Sequence, residues 1–176
     1  MKAPPASDAT RVLMNRRKGE RVNHMKQIYE RLDINNCSHE AGHAVMALVL
    51  GADFQYVELA HPSQDGGNGF GRSARNGIVD NESQVLIKFA GVGAELIQRN
   101  MGQAWSFLFA SSGRSDWKQS QLCIKWMGGD KRRVIKELKA KTTQLLKDNW
   151  AWVTCVAEAI REKRFVGCED VLALRP

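Results

Sequence analysis

Apolar residues recur at helical spacing along most of this chain, and only one short stretch alternates. The run SHEAGHAVMALVLG, Ser38 to Gly51, is apolar on nearly every side and predicts a buried helix. Asn36 or Ser38 is its expected N-cap, and Gly51 stands where a helix commonly ends. Just upstream, HMKQIYERLDI predicts a shorter helix. FQYVELA alternates and predicts a strand, and HPSQDGGNGFG after it is a long glycine-rich turn. DNESQVLIKFAGVGAELIQRNMG predicts a helix capped by Asp80 or Asn81 and stopping near Gly102. QAWSFLFASSGR reads as a loop, and SDWKQSQLCIKWMGG as a helix capped by Ser115. From Asp130 the pattern continues as one long or two abutting helices, and FVGCEDVLALRP predicts a turn and a short closing helix. The expected fold is mainly α, a single domain over 23–176 with one small β-ribbon, preceded by a basic, flexible leader over 1–22.

Composition alters this picture little. The 176 residues are enough for one domain with a real core, and 43% hydrophobic with 26% charged is ordinary for a globular protein. The net charge of +7 is concentrated in NRRKGER and KRRVIKELKAKTTQLLK, so an acidic partner has to be considered. In the second segment Val134, Ile135, Leu138, Leu145 and Leu146 form an apolar stripe, which makes the charges the solvated face of an amphipathic helix. Aromatic residues are not interleaved with them, and nucleic acid is not an expected partner. Cys37, Cys123, Cys155 and Cys168 form no C-x-x-C pair and read as reduced thiols of a cytoplasmic protein. No apolar run has the length of a membrane span, and no apolar segment behind the basic N-terminus resembles a signal peptide.

The chemistry lies in the first long helix. His39 and His43 are four residues apart, so both imidazoles leave one face, a turn from each other. That separation lets both reach one Zn²⁺ at about 2.0–2.1 Å. Glu40 stands beside them as a base for a metal-activated water attacking a peptide carbonyl. Burying two imidazoles and a carboxylate among Ala41, Ala44, Val45, Met46, Leu48, Val49 and Leu50 costs several kcal/mol, on the order of 2–7 per unpartnered group, unless something compensates. A metal does so. Gly42, costing roughly 0.5–1 kcal/mol inside a helix, predicts a close approach by another element. The third ligand is open among His61, Glu95 and Asp116, since Met46 and Val49 stand where a longer histidine pattern would need Gly and His.

HEAGHA resembles the peptidase domain of the FtsH-type ATP-dependent zinc proteases, including both small residues between the histidines. VELAHPSQDGGNGFG is similar to that family's strand and glycine turn, AGVGAELI to its glycine-containing helix, and SSGRSDWKQS to its loop leading into an Asp-initiated helix. AEAIREKRFVGCEDV resembles its last helix and closing turn, so the likeness spans about Ser38 to Val171. The resemblance implies His39, His43 and Asp116 as zinc ligands, Glu40 as catalytic base, and Glu95 as acceptor of a ligand histidine's N–H. The strand and turn would lie beside the metal, with an extended peptide adding to the strand's edge; Val57, Glu58, Leu59, Gly69 and Phe70 are the expected substrate-binding residues. No G-x-x-x-x-G-K-[ST] is present, so the ATPase module of the family is not expected here. Without a motor, such a zinc endopeptidase cuts polypeptide segments that are already flexible, unless a partner ATPase or a homo-oligomer feeds it. The apolar residues Trp105, Phe107, Leu108 and Phe109 are either a substrate lip or dock, or core. The alternative function is a non-catalytic metal-binding adaptor or nucleic-acid-binding protein that keeps the ligand set.

Overall fold

Helix α1 covers residues 33–49, and its apolar face explains why it begins before both expected caps. Cys37, Ala41, Ala44 and Val45 repeat at helical spacing and are buried, so tertiary packing holds the helix through Asn36 and Ser38. Ser38 is itself only 2% exposed and is a helix-interior residue, not a cap. Gly51, at φ +73°, ends the helix as its pattern requires. The computed structural model describes residues 33–59, 71–76 by backbone, 80–102, 104–106 and 113–176. The expected leader and the helix over HMKQIYERLDI up to residue 32 lie outside the described residues.

Strand β1 (Asp53–Leu59) pairs antiparallel with β2 (Gly71–Asn76), with a register irregularity between Phe54 and Val57. Next come α2 (Asn81–Gln98), α3 (Arg114–Met127), α4 (Lys131–Asp148) and α5 (Trp150–Lys163). A three-residue strand β3 (Phe165–Gly167) and helix α6 (Cys168–Ala173) complete the order. The fold is mainly helical with one small antiparallel sheet, ordered β2-β1-β3.

That order corrects one expectation. β3 was hidden in a segment that reads as a turn, because three residues are too few to show alternation. It pairs with β1 at Tyr56, Val57 and Glu58, opposite the β2 ladder, and the Leu59 amide donates to the Arg164 carbonyl at 2.8 Å. β1 is therefore the middle strand and offers no free edge there to a peptide. Val57 and Leu59 are buried in the core and Glu58 points outward, so these three are sheet residues.

The caps are a second correction. α3 starts from Gly113 with no side-chain cap, and Ser115 lies inside the first turn, its hydroxyl accepting from Gln119 Nε2 at 3.1 Å. The expected stop near Gly102 falls earlier: α2 ends at Gln98, and Asn100 adopts φ 53°. Beyond Asp130, whose carboxylate accepts from the Arg132 amide at 2.8 Å, there are two abutting helices with Asn149 between them.

α2 is the central helix, and eleven of its 18 residues are buried. Ile87, Ala90 and Ala94 join α1, β1, β3, α5 and α6 in one apolar cluster. Val85, Leu86, Phe89, Val92 and Leu96 join Trp105, Cys123, Ile124 and Leu138 in the other. A helix apolar on two sides is packed on both. Trp105 is thus core, whereas Phe107, Leu108 and Phe109 lie outside the described residues. On α4, Leu138 and Leu146 are buried while Lys131, Arg132, Arg133 and Lys136 are exposed, as an amphipathic helix requires.

Asp80 begins α2 as its N-cap. Its carboxylate accepts from the Ser83 amide at 2.9 Å and the Ser83 hydroxyl at 2.8 Å. These donors hold its pKa below the ordinary carboxylate value. Asp80→Ala is expected to lower unfolding free energy by about 1 kcal/mol. Because the folded pKa is depressed, the cap's ionic contribution is present above the unfolded value near about 3.9 and fades as pH falls through the folded one. Urea unfolding at pH 7 and in acid measures both; equal stability of the two proteins at pH 7 would remove the cap.

Candidate metal centre

α1 delivers His39 and His43 to one side, and α2 backs onto it. Gly42 makes this possible. A Cβ at that position would lie 2.5 Å from the Ala90 carbonyl oxygen and 2.8 Å from the Ala94 Cβ, so only glycine lets the two helices approach this closely. α3 then brings in Asp116 from its first turn.

The three polar tips converge. His39 Nε2 lies 3.0 Å from His43 Nε2, and Asp116 Oδ2 lies 3.4 Å and 3.3 Å from them. A tetrahedral ion with bonds of about 2.0–2.1 Å has its ligand atoms about 3.3 Å apart, so this triangle has the right size for one. His39, His43 and Asp116 are all buried and could hold a metal ion.

Hydrogen bonds on the far side of each ring settle which nitrogen faces inward. His43 Nδ1–H donates to the Ile87 carbonyl at 2.7 Å, and His39 Nδ1–H donates to Glu95 Oε1 at 2.7 Å. A carbonyl can only accept, so the Nε2 of a neutral His43 carries a lone pair. Glu95 imposes the same tautomer on a neutral His39. Two lone pairs and a carboxylate oxygen facing each other within 3.4 Å need a cation among them. In the metal-free chain a proton fills that role. Burial works against the His39 imidazolium, but the Asp116 and Glu95 carboxylates outweigh it and hold its pKa up at about 10. Burial likewise opposes the Asp116 carboxylate, and the two histidines outweigh it, holding Asp116 well below the usual carboxylate range.

α2 supplies the rest of the surround. Lys88, Gly91 and Glu95 follow i, i+3, i+7 spacing and so share one stripe of that helix. Lys88 Nζ is 3.3 Å from Asp116 Oδ1. Glu95 Oε2 accepts from Arg99 Nη2 at 3.2 Å while Oε1 accepts from His39, so the buried carboxylate has a donor on each oxygen. A Cβ on Gly91 would lie 2.5 Å from His43 Nε2 and 2.6 Å from His39 Nε2. The space beside the two nitrogens is therefore a cradle that any other residue would fill, and the residues present fit an ion held there.

Of the expected site residues, His39, His43 and Asp116 meet at one point and Glu95 touches His39. Glu40 is half-buried on the same helix, and its charge adds to the pull on the His39 proton. His61, Gly69 and Phe70 lie outside the described residues. Sequence reasoning missed Lys88, Arg99, Gly91 and the Ile87 carbonyl. A lone lysine in the apolar run VLIKFAG and two glycines inside a helix were the available signals; a backbone carbonyl has none. No helix among the described residues is long and apolar enough to cross a membrane. Compared with known proteins, the chain matches no family model and no curated protein.

Proposed function

We propose that this chain is a zinc-dependent endopeptidase in which His39, His43 and Asp116 hold the metal and Glu40 is the general base. The observation that carries the reading is the inward-facing triangle of two imidazole nitrogens and one carboxylate oxygen, 3.0–3.4 Å on its sides. Two neutral imidazoles with one carboxylate form a donor set suited to Zn²⁺, and three protein ligands leave a fourth position open, as catalytic rather than structural sites do. When bound, zinc supplies a Lewis acid that polarises a carbonyl and lowers the pKa of water to about 7. Glu40, next in sequence to one ligand, accepts the proton of the attacking water and returns it to the leaving amine. Glu95 keeps His39 in the tautomer whose Nε2 faces the centre, and Arg99 holds Glu95 in place. The likeness of HEAGHA and its flanking segments to FtsH-type peptidase domains supports the same assignment. Substrate would have to reach the site without adding to β1, because both sides of that strand are occupied at Val57 and Glu58.

The test is digestion of casein and of a peptide library by zinc-loaded protein, with and without a chelator. Cleavage should require the metal. Glu40→Gln should keep the fold and the zinc and lose cleavage by at least about 10²-fold, since the amide cannot take the proton. An active wild type matched by an equally active Glu40→Gln refutes the mechanism. A loaded chain that cuts nothing supports the metal-binding adaptor instead, and a salt-dependent shift of DNA would add nucleic acid to its partners.

A further inference from the structure

We propose that Lys88 is a positioning residue that pins Asp116 as a one-oxygen ligand and so holds the centre at four-coordination. The proposal rests on the metal-site reading above. A carboxylate can bind an ion through one oxygen or both, and the choice sets the coordination number. Here the two oxygens of Asp116 are separated by function. Oδ2 faces both histidines at 3.3–3.4 Å, and Oδ1 faces Lys88 Nζ at 3.3 Å. To bind through both oxygens, Asp116 would have to turn Oδ1 away from the ammonium. Asp116 is buried, as are the rings opposite, so turning away would cost Oδ1 its charged partner.

The placement of Lys88 follows from α2 rather than from chance proximity. It lies on the stripe shared with Gly91, under the two Nε2 atoms, and Glu95, which holds His39. Lys88 also follows Ile87, whose carbonyl holds His43. One helix face thus orients all three ligands: Ile87 one imidazole, Glu95 the other, Lys88 the carboxylate. With Asp116 confined to one oxygen, the protein offers three ligand atoms and one open position. That arrangement favours zinc, which accepts four ligands, over manganese and calcium, which prefer six or more.

Cobalt(II) tests this without any activity assay, because its visible d–d absorption is strong in four-coordinate sites and much weaker in five-coordinate ones. Cobalt, zinc and manganese are titrated into metal-free wild type, Lys88→Met and Lys88→Arg. Wild type should show the strong four-coordinate bands. Lys88→Met should show the weak bands of a two-oxygen Asp116, bind zinc about 10-fold less tightly, and lose part of its preference over manganese. Lys88→Arg, which keeps a donor, should restore the wild-type spectrum. If circular dichroism shows Lys88→Met unfolded, Lys88→Gln carries the same comparison with a polar side chain. An unchanged cobalt spectrum in the neutral variants overturns the proposal, even if zinc binds more weakly, because charge alone would explain that. A wild type that binds no cobalt or zinc stoichiometrically overturns the metal centre, and this proposal falls with it.

Discussion

Purified without chelator, the wild-type chain is expected to carry about one zinc, and His39→Ala or His43→Ala to carry essentially none. Each substitution leaves two of the three buried ligand atoms that could hold the ion. Asp116→Ala should lose binding by more than about 100-fold, because it also leaves Zn²⁺ without its anionic ligand in a buried place, where unbalanced charge is costly. Glu95→Gln should be milder, a loss of about 10–100-fold, since it loosens His39 rather than removing a ligand. Atomic absorption and competitive titration read both. Full zinc in the double histidine variant, or equal losses at Asp116 and Glu95, would break the assignment. Thermal unfolding gives an independent reading: at a free zinc concentration 100 times Kd the fold gains about 2.7 kcal/mol.

Acidity adds a sign to this. His39 has its pKa raised from the ordinary 6.5 to about 10 in the metal-free fold. Its imidazolium therefore stabilises that fold fully below pH 6.5, and the contribution is lost as pH rises towards 10. A metal occupies the same place and displaces the proton. The stability gap between loaded and metal-free protein should widen with pH above about 6.5 and narrow below it.

What was legible in the sequence follows physical periodicity. His39 and His43 share a face because four residues make about one turn, and α1 reads as buried because it is apolar on nearly every side. Asp80 was readable as a cap because its side chain acts on an amide three residues away. The losses occurred where distant parts of the chain decide. Ser115 has the chemistry of a cap, yet α3 starts at Gly113, and Asn36 and Ser38 lie inside a helix that packing extends. β3 is three residues long, and only its pairing with β1, more than a hundred positions earlier, makes it a strand. Asp116 could be ranked above Glu95 and His61 only by resemblance, because no local rule connects α3 to α1. The ion pair of Arg164 with Asp33, at 2.6 and 2.9 Å, belongs to the same class of long-range contact.

Gly91→Ala is expected to remove the metal while leaving the fold, and Gly42→Ala to destabilise the fold itself. In an ordinary helix interior either change would gain about 0.5–1 kcal/mol. Neither site is ordinary. At position 91 the new methyl would meet His43 Nε2 at 2.5 Å and His39 Nε2 at 2.6 Å, so it would occupy the space beside the two coordinating atoms. Those atoms end side chains, and the rings can yield, but only by breaking the Nδ1 bonds to Ile87 and Glu95 that aim them. Zinc affinity should fall by more than about 100-fold, the upper end for losing a single supporting contact, because both ligands are disturbed at once. At position 42 the obstruction is the Ala90 carbonyl oxygen, 2.5 Å away, which is backbone and cannot rotate aside. α1 and α2 must then separate, and overpacking of that kind costs about 1–3 kcal/mol or more across the cluster they share. Zinc titration and urea unfolding of both variants separate the two effects. Wild-type zinc affinity in Gly91→Ala would mean that the rings do not converge on an ion there, and the centre would have to be sought elsewhere.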